Sequence, residues 1–461
     1  MNTNLPRYCA YQTTESEWLS ELPLGWKAIQ LARLNSKLTN GFVGPTRDIL
    51  CESGVRYLQS LHIKGGRIIF DTPYFVSQEW SASHQKSVLK SGDVLIVQTG
   101  DIGQVAAVTE EFAGCNCHAL IIVAAKPKMI DGFFLSAVLR SHYGFHSLKS
   151  VQTGALHPHL NCTNIRDIYL PVPPLEEQRA ILAFLDRETH KIDLLMDVRR
   201  KQIERLLEQR TAVIHHAVTK GLDPCTKMQP TEVEGLEKVP VSWDVLPLWA
   251  VAKMRVSNVD KKSLPSEQPV RLCNYVDVYK NERIDATLDF MEATALVPEI
   301  ERFLLRIGDV IITKDSETPG DIGVPAIVAE IVPSLICGYH LAILRATPSL
   351  LPEYLLRLFQ TPYIRSYLAT KAQGVTRFGL SQNAITRCPV PLPPICEQEA
   401  IVEHINIETA KIASLISKYQ KEIDLLFEYR AALISHAVTG KIDVRGCAVP
   451  VPADVQLAEC L

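Results

Sequence analysis

Residues 171–178 read PVPPLEEQ and residues 391–398 read PLPPICEQ, so one motif occurs twice at an offset of 220 residues. A second motif, HAVT, follows each copy at the same offset, at residues 216–219 and 436–439. Doubled motifs in the same order are the sequence signature of an internal repeat. The chain of 461 residues is also too long for one hydrophobic core, so at least two domains are expected.

The repeat is well preserved only around these motifs. No gap is needed between residues 159–223 and 379–443, and by hand count roughly 26 of the 65 pairs are identical. Upstream of each copy the two halves diverge strongly. A shared framework that carries two different modules indicates a protein that holds two unlike readers, and it favours recognition over catalysis.

Each PxPP motif opens a long segment without glycine or proline, from about residue 175 to 219 and from about 395 to 439. Proline suits the first helical position, and the glutamates that follow oppose the positive end of the helix dipole. One apolar stripe runs along each segment at helical spacing. The stripes are Ile181, Leu185, Ile192, Leu195, Ile203, Leu206, Ile214 and Ala217, and Ile401, Ile405, Ile412, Leu415, Ile423, Leu426, Ile434 and Ala437. Two helices of roughly 65 Å are predicted.

A helix of this length with one apolar stripe needs a partner helix, and the obvious partner is the other copy. Antiparallel pairing would relate the copies by a pseudo-twofold axis and would set the two modules at opposite ends. A span of roughly 65 Å corresponds to nearly 20 base pairs of DNA at about 3.4 Å per pair. The helix pair is therefore interpreted as a spacer that sets the distance between the modules.

The two modules upstream of the helices carry the same order of strand and turn signals. Gly-Asp-Val at residues 92–94 matches Gly-Asp-Val at 308–310, and Gly-Asp-Ile-Gly occurs at 100–103 and at 320–323. β-Branched residues bounded by glycines, as at 93–98, predict short strands. We therefore predict two β-rich modules with one fold and different surfaces, in which the Gly-Asp-Ile-Gly stretches are tight turns.

The charge of the chain does not indicate nucleic-acid binding, because the net charge is −3 and neither module is strongly basic. If the chain binds DNA, a basic partner is expected to hold the backbone. No apolar stretch is long enough for a membrane span, and the N-terminus lacks the pattern of a secretory signal. The 12 cysteines therefore suggest reduced thiols in the cytoplasm. The crowded stretch from Cys115 to His118 favours buried or turn cysteines over zinc.

The motifs of common enzyme classes are absent from the sequence. Residues 374–381 have the glycine spacing of a phosphate loop, but Leu380 replaces the essential lysine. The Asn-Pro-Pro-aromatic loop of adenine methyltransferases is missing. His215 and His216 are adjacent, so they point to different faces of a helix and favour a structural role over catalysis.

With these features the chain resembles the specificity subunit of type I restriction-modification systems, HsdS. The paired PxPPxxEQ entries, the helices that follow, the HAVT endings and the Gly-Asp-Val strands carry the resemblance, which covers nearly the whole chain. It implies an α+β protein with two β-rich target recognition domains and two long helices in an antiparallel coiled coil. The implied segments are 1–170 and 224–390 for the recognition domains, 171–223 and 391–443 for the connector helices, and 444–461 for a tail.

The resemblance also implies what the chain binds. Each recognition domain would read one half of a split site in double-stranded DNA. Two methyltransferase subunits would dock on the chain, and restriction subunits would join through the complex. S-adenosylmethionine, ATP and Mg²⁺ are expected on those partners, and no cofactor or metal is expected in this chain. The chain itself is predicted to be non-catalytic.

The candidate contacts are polar residues in loops, since base edges are read by such side chains. In the first module they are Arg47, Lys64, Arg67, Gln98, Thr99, Gln152, Thr153 and His157. In the second they are Lys261, Lys262, Asn281, Lys314, Lys371, Gln373, Thr376 and Arg377. Residues 152–154 and 373–375 are favoured, because a glycine lets the backbone approach closely. Glu177, Gln178, Glu397 and Gln398 are the predicted docking residues.

Two other readings compete with the DNA-specificity subunit. The chain could be a tandem adaptor whose two heads bind proteins, or a stand-alone enzyme with a degenerate site. The absence of a nucleophile, metal cluster or cofactor loop with adequate spacing stands against the enzyme.

Overall fold

The computed structural model describes residues 5–16, 18–154 and 158–447. His157 and most of the predicted tail lie outside these ranges. The chain forms two compact units, unit 1 with Met1–Arg199 and Lys421–Leu461, and unit 2 with Arg200–Gln420. Each unit therefore contains one β-rich module and half of each long helix. The predicted segment boundaries follow the linear sequence and stay predictions.

The two long helices are Leu175–Lys220 and Ile395–Val438, within one residue of both predicted spans. Within unit 1 they pair antiparallel: Asp193 Oδ1 accepts from Arg430 Nε at 3.0 Å, and Arg199 Nε lies 2.7 Å from Glu422. The partner residue number falls as the first rises, which is the signature of opposite chain directions. The mixed α+β class with long paired helices is confirmed.

In unit 2 the same pairing is made through the hydrophobic core. Ile214, Ala217 and Val218 of the first long helix share one core with Ile401 and Ile405 of the second. The end of one helix therefore packs on the start of the other. Most members of the predicted stripes are buried or half-buried, but Leu415 is 42% exposed and does not belong to the covered face.

The core of unit 1 is a four-stranded antiparallel sheet in the order Val105–Ala107, Asp93–Val97, Leu120–Ala125 and Asn35–Asn40. All five residues of the strand Asp93–Val97 are buried, and the last four form the continuous apolar run expected of a central strand. The other strands are Tyr11–Thr13, Glu21–Pro23, Lys27–Gln30, Leu50–Cys51, Val55–Leu58, Ile63–Lys64, Arg67–Ile68, Phe75–Val76, Asn116–Cys117 and Tyr169–Val172. The shorter helices are Leu31–Leu34, Gln78–Ser83, Gly132–Arg140 and His142–Ser150.

The main sheet of unit 2 repeats this strand order and has one more strand. The order is Ala252–Val256, Leu341–Ala346, Val310–Thr313, Pro325–Val328 and Arg283–Ile284. The other strands are Met228–Val233, Leu236–Pro240, Asp244–Pro247, Gln268–Cys273, Met291–Ala295, Asp315–Ser316, Leu335–Cys337, Phe378–Gly379 and Pro389–Leu392. The shorter helices are Leu248–Val251, Tyr275–Lys280, Val297–Phe303, Pro352–Phe359, Pro362–Lys371 and Gln382–Thr386. The prediction that both modules are β-rich and share a strand order is confirmed.

The cysteines near His118 lie inside unit 1. Cys115 and Cys117 are buried, and burial raises the pKa of the two thiols to about 11 and about 12. Buried thiols with a raised pKa are typical of structural, unreactive cysteines. Within the described residues no group of three His, Cys, Asp or Glu side chains could hold a metal ion. No described helix is long and apolar enough to cross a membrane.

Candidate nucleic-acid interface

Two loops of unit 2 are joined by main-chain hydrogen bonds and form the first candidate surface. Residues 373–379 form a closed loop, because Gln373 N donates to Gly379 O at 3.0 Å and Gly379 N donates to Gln373 O at 2.9 Å. Leu380 N then donates to Lys314 O at 2.9 Å, and the strand Asp315–Ser316 pairs with Phe378–Gly379. We call residues 314–316 and 373–379 the paired loops of unit 2. They bring the predicted contacts Lys314, Gln373, Thr376 and Arg377 together.

The charges of the paired loops of unit 2 are partly neutralised by Asp315. Its carboxylate lies 2.6 Å from His340 Nδ1 and 3.1 Å from Lys314 Nζ. The Lys314 side chain is only 19% exposed, so its ammonium group is held by Asp315 and is poorly available for a phosphate. The structure thus makes Lys314 a support for Asp315. Asp315 and His340 are functional candidates that the sequence analysis missed.

The tip of the closed loop projects from unit 2. Val375 is 91% exposed, and Thr376 and Arg377 beside it are exposed as well. Burial raises the pKa of the nearby Tyr275 phenol, which bonds Ser316 and lies close enough to Arg377 for their charges to interact. An arginine and a threonine at an exposed tip are groups that can reach base edges in a major groove.

Unit 1 contains the same arrangement with different side chains. Thr153 N donates to His159 O at 3.0 Å, His159 N donates to Thr153 O at 2.8 Å, and Leu160 N donates to Gln98 O at 3.0 Å. We call residues 98–99 and 153–159 the paired loops of unit 1. Gln98, Thr99 and Thr153 lie on them, and Gln152 precedes them directly. At the described residues the two favoured loops therefore share the same main-chain hydrogen bonds.

A residue in the left-handed backbone region precedes the same core strand in both units. Ala119 has φ 47° before Leu120–Ala125, and His340 has φ 72° before Leu341–Ala346. Left-handed residues other than glycine are uncommon and tend to lie at functional sites. The preceding residues are His118 in unit 1 and Tyr339 in unit 2, so one backbone geometry presents two different sets of side chains.

An aromatic cluster surrounds this position in unit 1. Trp80 stacks on His84 with ring centroids 3.9 Å apart, and Phe42 meets Trp80 edge-on at 5.1 Å. Tyr57 Oη lies 3.4 Å from His118 Nδ1, and burial lowers the pKa of His118. His118 is therefore a neutral hydrogen-bonding group at physiological pH. The sequence signal for this cluster is weak, because its members come from four separate segments.

The other predicted contacts of unit 1 lie on different segments. Arg47 is exposed in the connection between Asn35–Asn40 and Leu50–Cys51. Lys64 and Arg67 lie on one hairpin, where Lys64 Nζ is 3.3 Å from Asp71 and Arg67 is 3.8 Å from Asp193. These three residues stay predictions.

In unit 2 the remaining predicted contacts have mixed positions. Lys261 and Lys262 are exposed before the strand Gln268–Cys273, and Lys371 ends the helix just before the paired loops. Asn281 donates from its amide to Asp277 O at 2.8 Å at the end of the helix Tyr275–Lys280, and its contact with DNA stays a prediction.

The predicted docking residues lie at the start of the long helices, where the structure revises the prediction for the two glutamines. Gln178 and Gln398 are fully buried. Gln178 Nε2 donates to Pro173 O at 2.9 Å and to Met129 O at 3.0 Å, and Gln398 Nε2 donates to Pro393 O at 2.8 Å and to Ser349 O at 3.0 Å. These amides anchor each helix to its own module and offer a partner no surface.

The glutamates beside them are also bonded within their units. Trp26 Nε1 donates to Glu177 at 3.1 Å, and Trp243 Nε1 donates to Glu397 at 3.0 Å. Burial and the hydrogen bond to Glu177 raise the pKa of Tyr8 above its ordinary value. The repeated Glu-Gln pair is thus a structural joint, and a docking role for Glu177 and Glu397 stays a prediction.

Comparisons with known proteins agree with this architecture. The family model described as the type I restriction modification DNA specificity domain matches residues 48–205. The MjaX specificity subunit of Methanocaldococcus jannaschii, a putative type I restriction enzyme subunit, is 21% identical over 436 residues, 93% of this chain and 96% of that protein. The MjaVIII specificity subunit of the same organism is 24% identical over 208 residues, and the match spans 47% of its length.

A solved structure shows the same fold. A chain in a study of complex assembly and conformational transition of the type I R-M system superposes with a TM-score of 0.69 at 19% identity, and the match covers 91% of this chain and 99% of that one. The doubled motifs, the two equivalent units with long paired helices and these relatives lead to one assignment. Along most of its length the chain is similar to specificity subunits of type I restriction-modification systems.

Proposed function

We propose that this chain reads a bipartite site in double-stranded DNA, with the paired loops of each unit contacting one half. One observation carries the proposal. Among the described residues the two loop pairs share three main-chain hydrogen bonds, yet the bonded positions carry different side chains: Gln98, Thr153 and His159 in unit 1 against Lys314, Gln373 and Gly379 in unit 2. Loops with the same main-chain geometry and different side chains are suited to two half-sites of different sequence.

The side chains of the paired loops of unit 2 suggest which base pairs this unit prefers. Arginine binds guanine O6 and N7, and an aspartate accepts from cytosine N4. The Asp315 carboxylate of unit 2 is held by Lys314 and His340, which fixes its orientation. We infer that the unit 2 half-site contains a G·C pair that Arg377 contacts.

Selection of bound sequences from a random DNA pool tests the reading, with the chain purified together with its methyltransferase partner. The wild type should enrich two unlike half-sites around a fixed gap. Arg377→Ala should relax one half-site, and a single lost base contact is worth about 1–3 kcal/mol. Lys238→Ala is the control, because this lysine is exposed on the strand Leu236–Pro240 and is not a predicted contact. An Arg377→Ala selection identical to the wild type would remove Arg377 from the interface.

We further propose that two methyltransferase subunits dock on the long helices. Leu207 and Phe427 occupy the same position of the repeat and are 50% and 67% exposed. Large apolar side chains that stay exposed at equivalent positions of both units suit two copies of one partner. S-adenosylmethionine, ATP and Mg²⁺ would bind to the partner subunits, and restriction subunits would join through them. The cytoplasm, where DNA and these partners meet, is the expected compartment.

The competing proposal is a tandem adaptor that binds two proteins. It predicts that the paired loops enrich no DNA sequence, while partner proteins are still retained. The selection experiment therefore separates the two functions.

A further inference from the structure

A cavity of about 410 Å³ lies in unit 1 between the hairpin that carries Arg67, the helix Gly132–Arg140 and the long helices. Arg67, Arg140 and Arg430 line it. Arg140 Nη1 lies 3.4 Å from Gly66 O, and its buried Nε finds no hydrogen-bond partner among the described residues. Burial lowers the pKa of Arg140, and the charges of Arg430 and Arg67 lower it further. Three guanidinium groups thus converge on this cavity.

Unit 2 has a carboxylate in the corresponding network. Glu282 lies 2.8 Å from Arg357 Nη1, is ion-paired with Arg210, and accepts from Gln360 Nε2 at 2.9 Å. A second carboxylate, Glu353, binds Arg283 at 2.7 Å. The arginines of unit 2 are therefore neutralised from within the unit.

The repeat shows that unit 1 keeps two of the arginines, has Arg140 where unit 2 has Gln360, and lacks both carboxylates. Gly65-Gly66-Arg67-Ile68 aligns with Asn281-Glu282-Arg283-Ile284, so Gly66 replaces Glu282. Phe133 stands 220 residues before Glu353, and Arg430 stands 220 residues after Arg210. A side chain at Gly66 is also impossible without rearrangement, because an added Cβ would lie 1.7 Å from Arg140 Nη1.

The acidic residues of this cavity leave Arg140 without a carboxylate. Asp193 binds Arg430 at 3.0 Å and lies 3.8 Å from Arg67. Glu111 is paired with Arg56 at 3.2 Å. Asp186 lines the cavity, and the equivalent residue of the repeat in unit 2 is Asn406. In the described part of unit 1, no acidic side chain makes an ion pair with Arg140. The cavity therefore offers an anion one partly buried and one exposed guanidinium group.

We propose that this cavity binds a phosphate group. Guanidinium groups bind phosphate oxygens through paired, charge-assisted hydrogen bonds, and the volume admits one such group with water. The phosphate comes either from solution or from the DNA backbone. The second source rests on the proposed function, whereas the first does not.

Thermal unfolding with inorganic phosphate tests the site without DNA. Sodium phosphate, compared with chloride at equal ionic strength, should raise the Tm of the wild type with saturation at millimolar concentration. Arg140→Gln and Arg67→Gln should weaken this effect about tenfold, since a hydrogen bond to a charged group is worth about 1.5–3 kcal/mol. Arg67 is 75% exposed, so its variant is expected to fold even if Arg140→Gln does not. Arg283→Gln, at the equivalent position of unit 2, should behave like the wild type.

The salt dependence of DNA binding separates the two sources. If a DNA phosphate occupies the cavity, Arg67→Gln and Arg140→Gln should reduce the slope of log K against log salt concentration by about one, with unchanged sequence preference. If only free phosphate binds, the variants keep the wild-type slope of log K against log salt concentration. Only the rise of Tm with phosphate is then weakened. An unchanged slope together with equal phosphate effects in all four proteins would overturn the proposal. Failure of all DNA binding would count against the proposed function and would leave the thermal test intact.

Discussion

Asp93 and Asp309 occupy the same position in the two units, directly after the turn glycine of the Gly-Asp-Val motif, but their surroundings differ. Asp309 forms two hydrogen bonds of 2.6 Å with the Arg345 guanidinium. In unit 1 the residue opposite Asp93 is Ala124, and burial raises the pKa of Asp93 above its ordinary value. A pair of residues that look identical in sequence therefore differs in whether an arginine partner is present.

Replacement by asparagine should change the free energy of unfolding differently at Asp93 and at Asp309. A carboxyl group whose pKa is raised on folding contributes stability below its unfolded pKa, and this contribution is lost as the pH rises through the folded pKa. At pH 7 Asp93→Asn should therefore leave the free energy of unfolding unchanged or raise it by up to about 1 kcal/mol. Asp309→Asn leaves Arg345 without its partner and should cost about 2 kcal/mol or more, towards the ~3–5 kcal/mol of fully buried pairs.

Thermal unfolding at pH 5 and pH 7 checks this pair. The advantage of Asp93→Asn over the wild type should shrink at pH 5, because more of the wild-type carboxyl group is then protonated. Equal losses of Tm in both variants would contradict the assignment.

At the scale of elements, the closed loop of residues 373–379 depends on Gly374. This residue has φ 144°, and an added Cβ would lie 1.9 Å from Arg377 O. Gly374→Ala should therefore distort the loop and abolish reading of the unit 2 half-site, because Arg377 is displaced. Since the loop is exposed, the Tm of the chain should fall by only a few degrees, as for a loss of about 1 kcal/mol.

Gly320→Ala is the matched control, because this glycine is in unit 2, has no neighbour within 4 Å of an added Cβ and has no positive φ. The readout is selection of bound DNA sequences. Loss of both half-sites in Gly374→Ala would indicate general misfolding and would count against a local role of the loop.

The elements that sequence could predict are those defined by local pattern. The long helices follow from a stripe at helical spacing and from proline entries, so their ends are within one residue of the prediction. The paired loops follow from Thr153 and Gln373 at one repeat offset. His340 and Asp315 could not be predicted to meet, because the register of Val310–Thr313 on Leu341–Ala346 brings them together. Gln178 and Gln398 looked like surface groups, since burial of an amide is decided by carbonyl groups distant in sequence.

At the scale of the whole molecule, the repeat implies two equivalent docking positions, one in each unit. Phe427→Ser should weaken retention of the methyltransferase, and Leu207→Ser should have the same kind of effect at the second position. Truncation of an apolar anchor in an interface typically costs about 2 kcal/mol or more, or roughly thirtyfold in affinity. The measurement is the stoichiometry of the complex by mass photometry or native mass spectrometry.

Each single variant should yield complexes with one methyltransferase subunit, and the double variant should yield none. Leu264→Ser serves as control, because this leucine is 52% exposed and lies on neither long helix. Full retention of both subunits in the double variant would place docking elsewhere.

Under the proposed function the chain is a recognition subunit, and the chemistry on DNA would belong to its partners. The central claim is that one chain imposes a two-part sequence on that chemistry through two unlike units. Neither unit is strongly basic, which agrees with recognition by a complex in which a partner holds the DNA backbone.

The most direct test is single-molecule sequencing of DNA from cells that carry this gene with its neighbouring methyltransferase gene, which maps N6-methyladenine. We predict a methylated motif of two unlike halves around a fixed gap, which is lost when this gene is deleted and is altered in one half only by Arg377→Ala. Methylation that is unchanged by deletion, with the methyltransferase expressed and active, would contradict the claim and would favour a protein-binding adaptor.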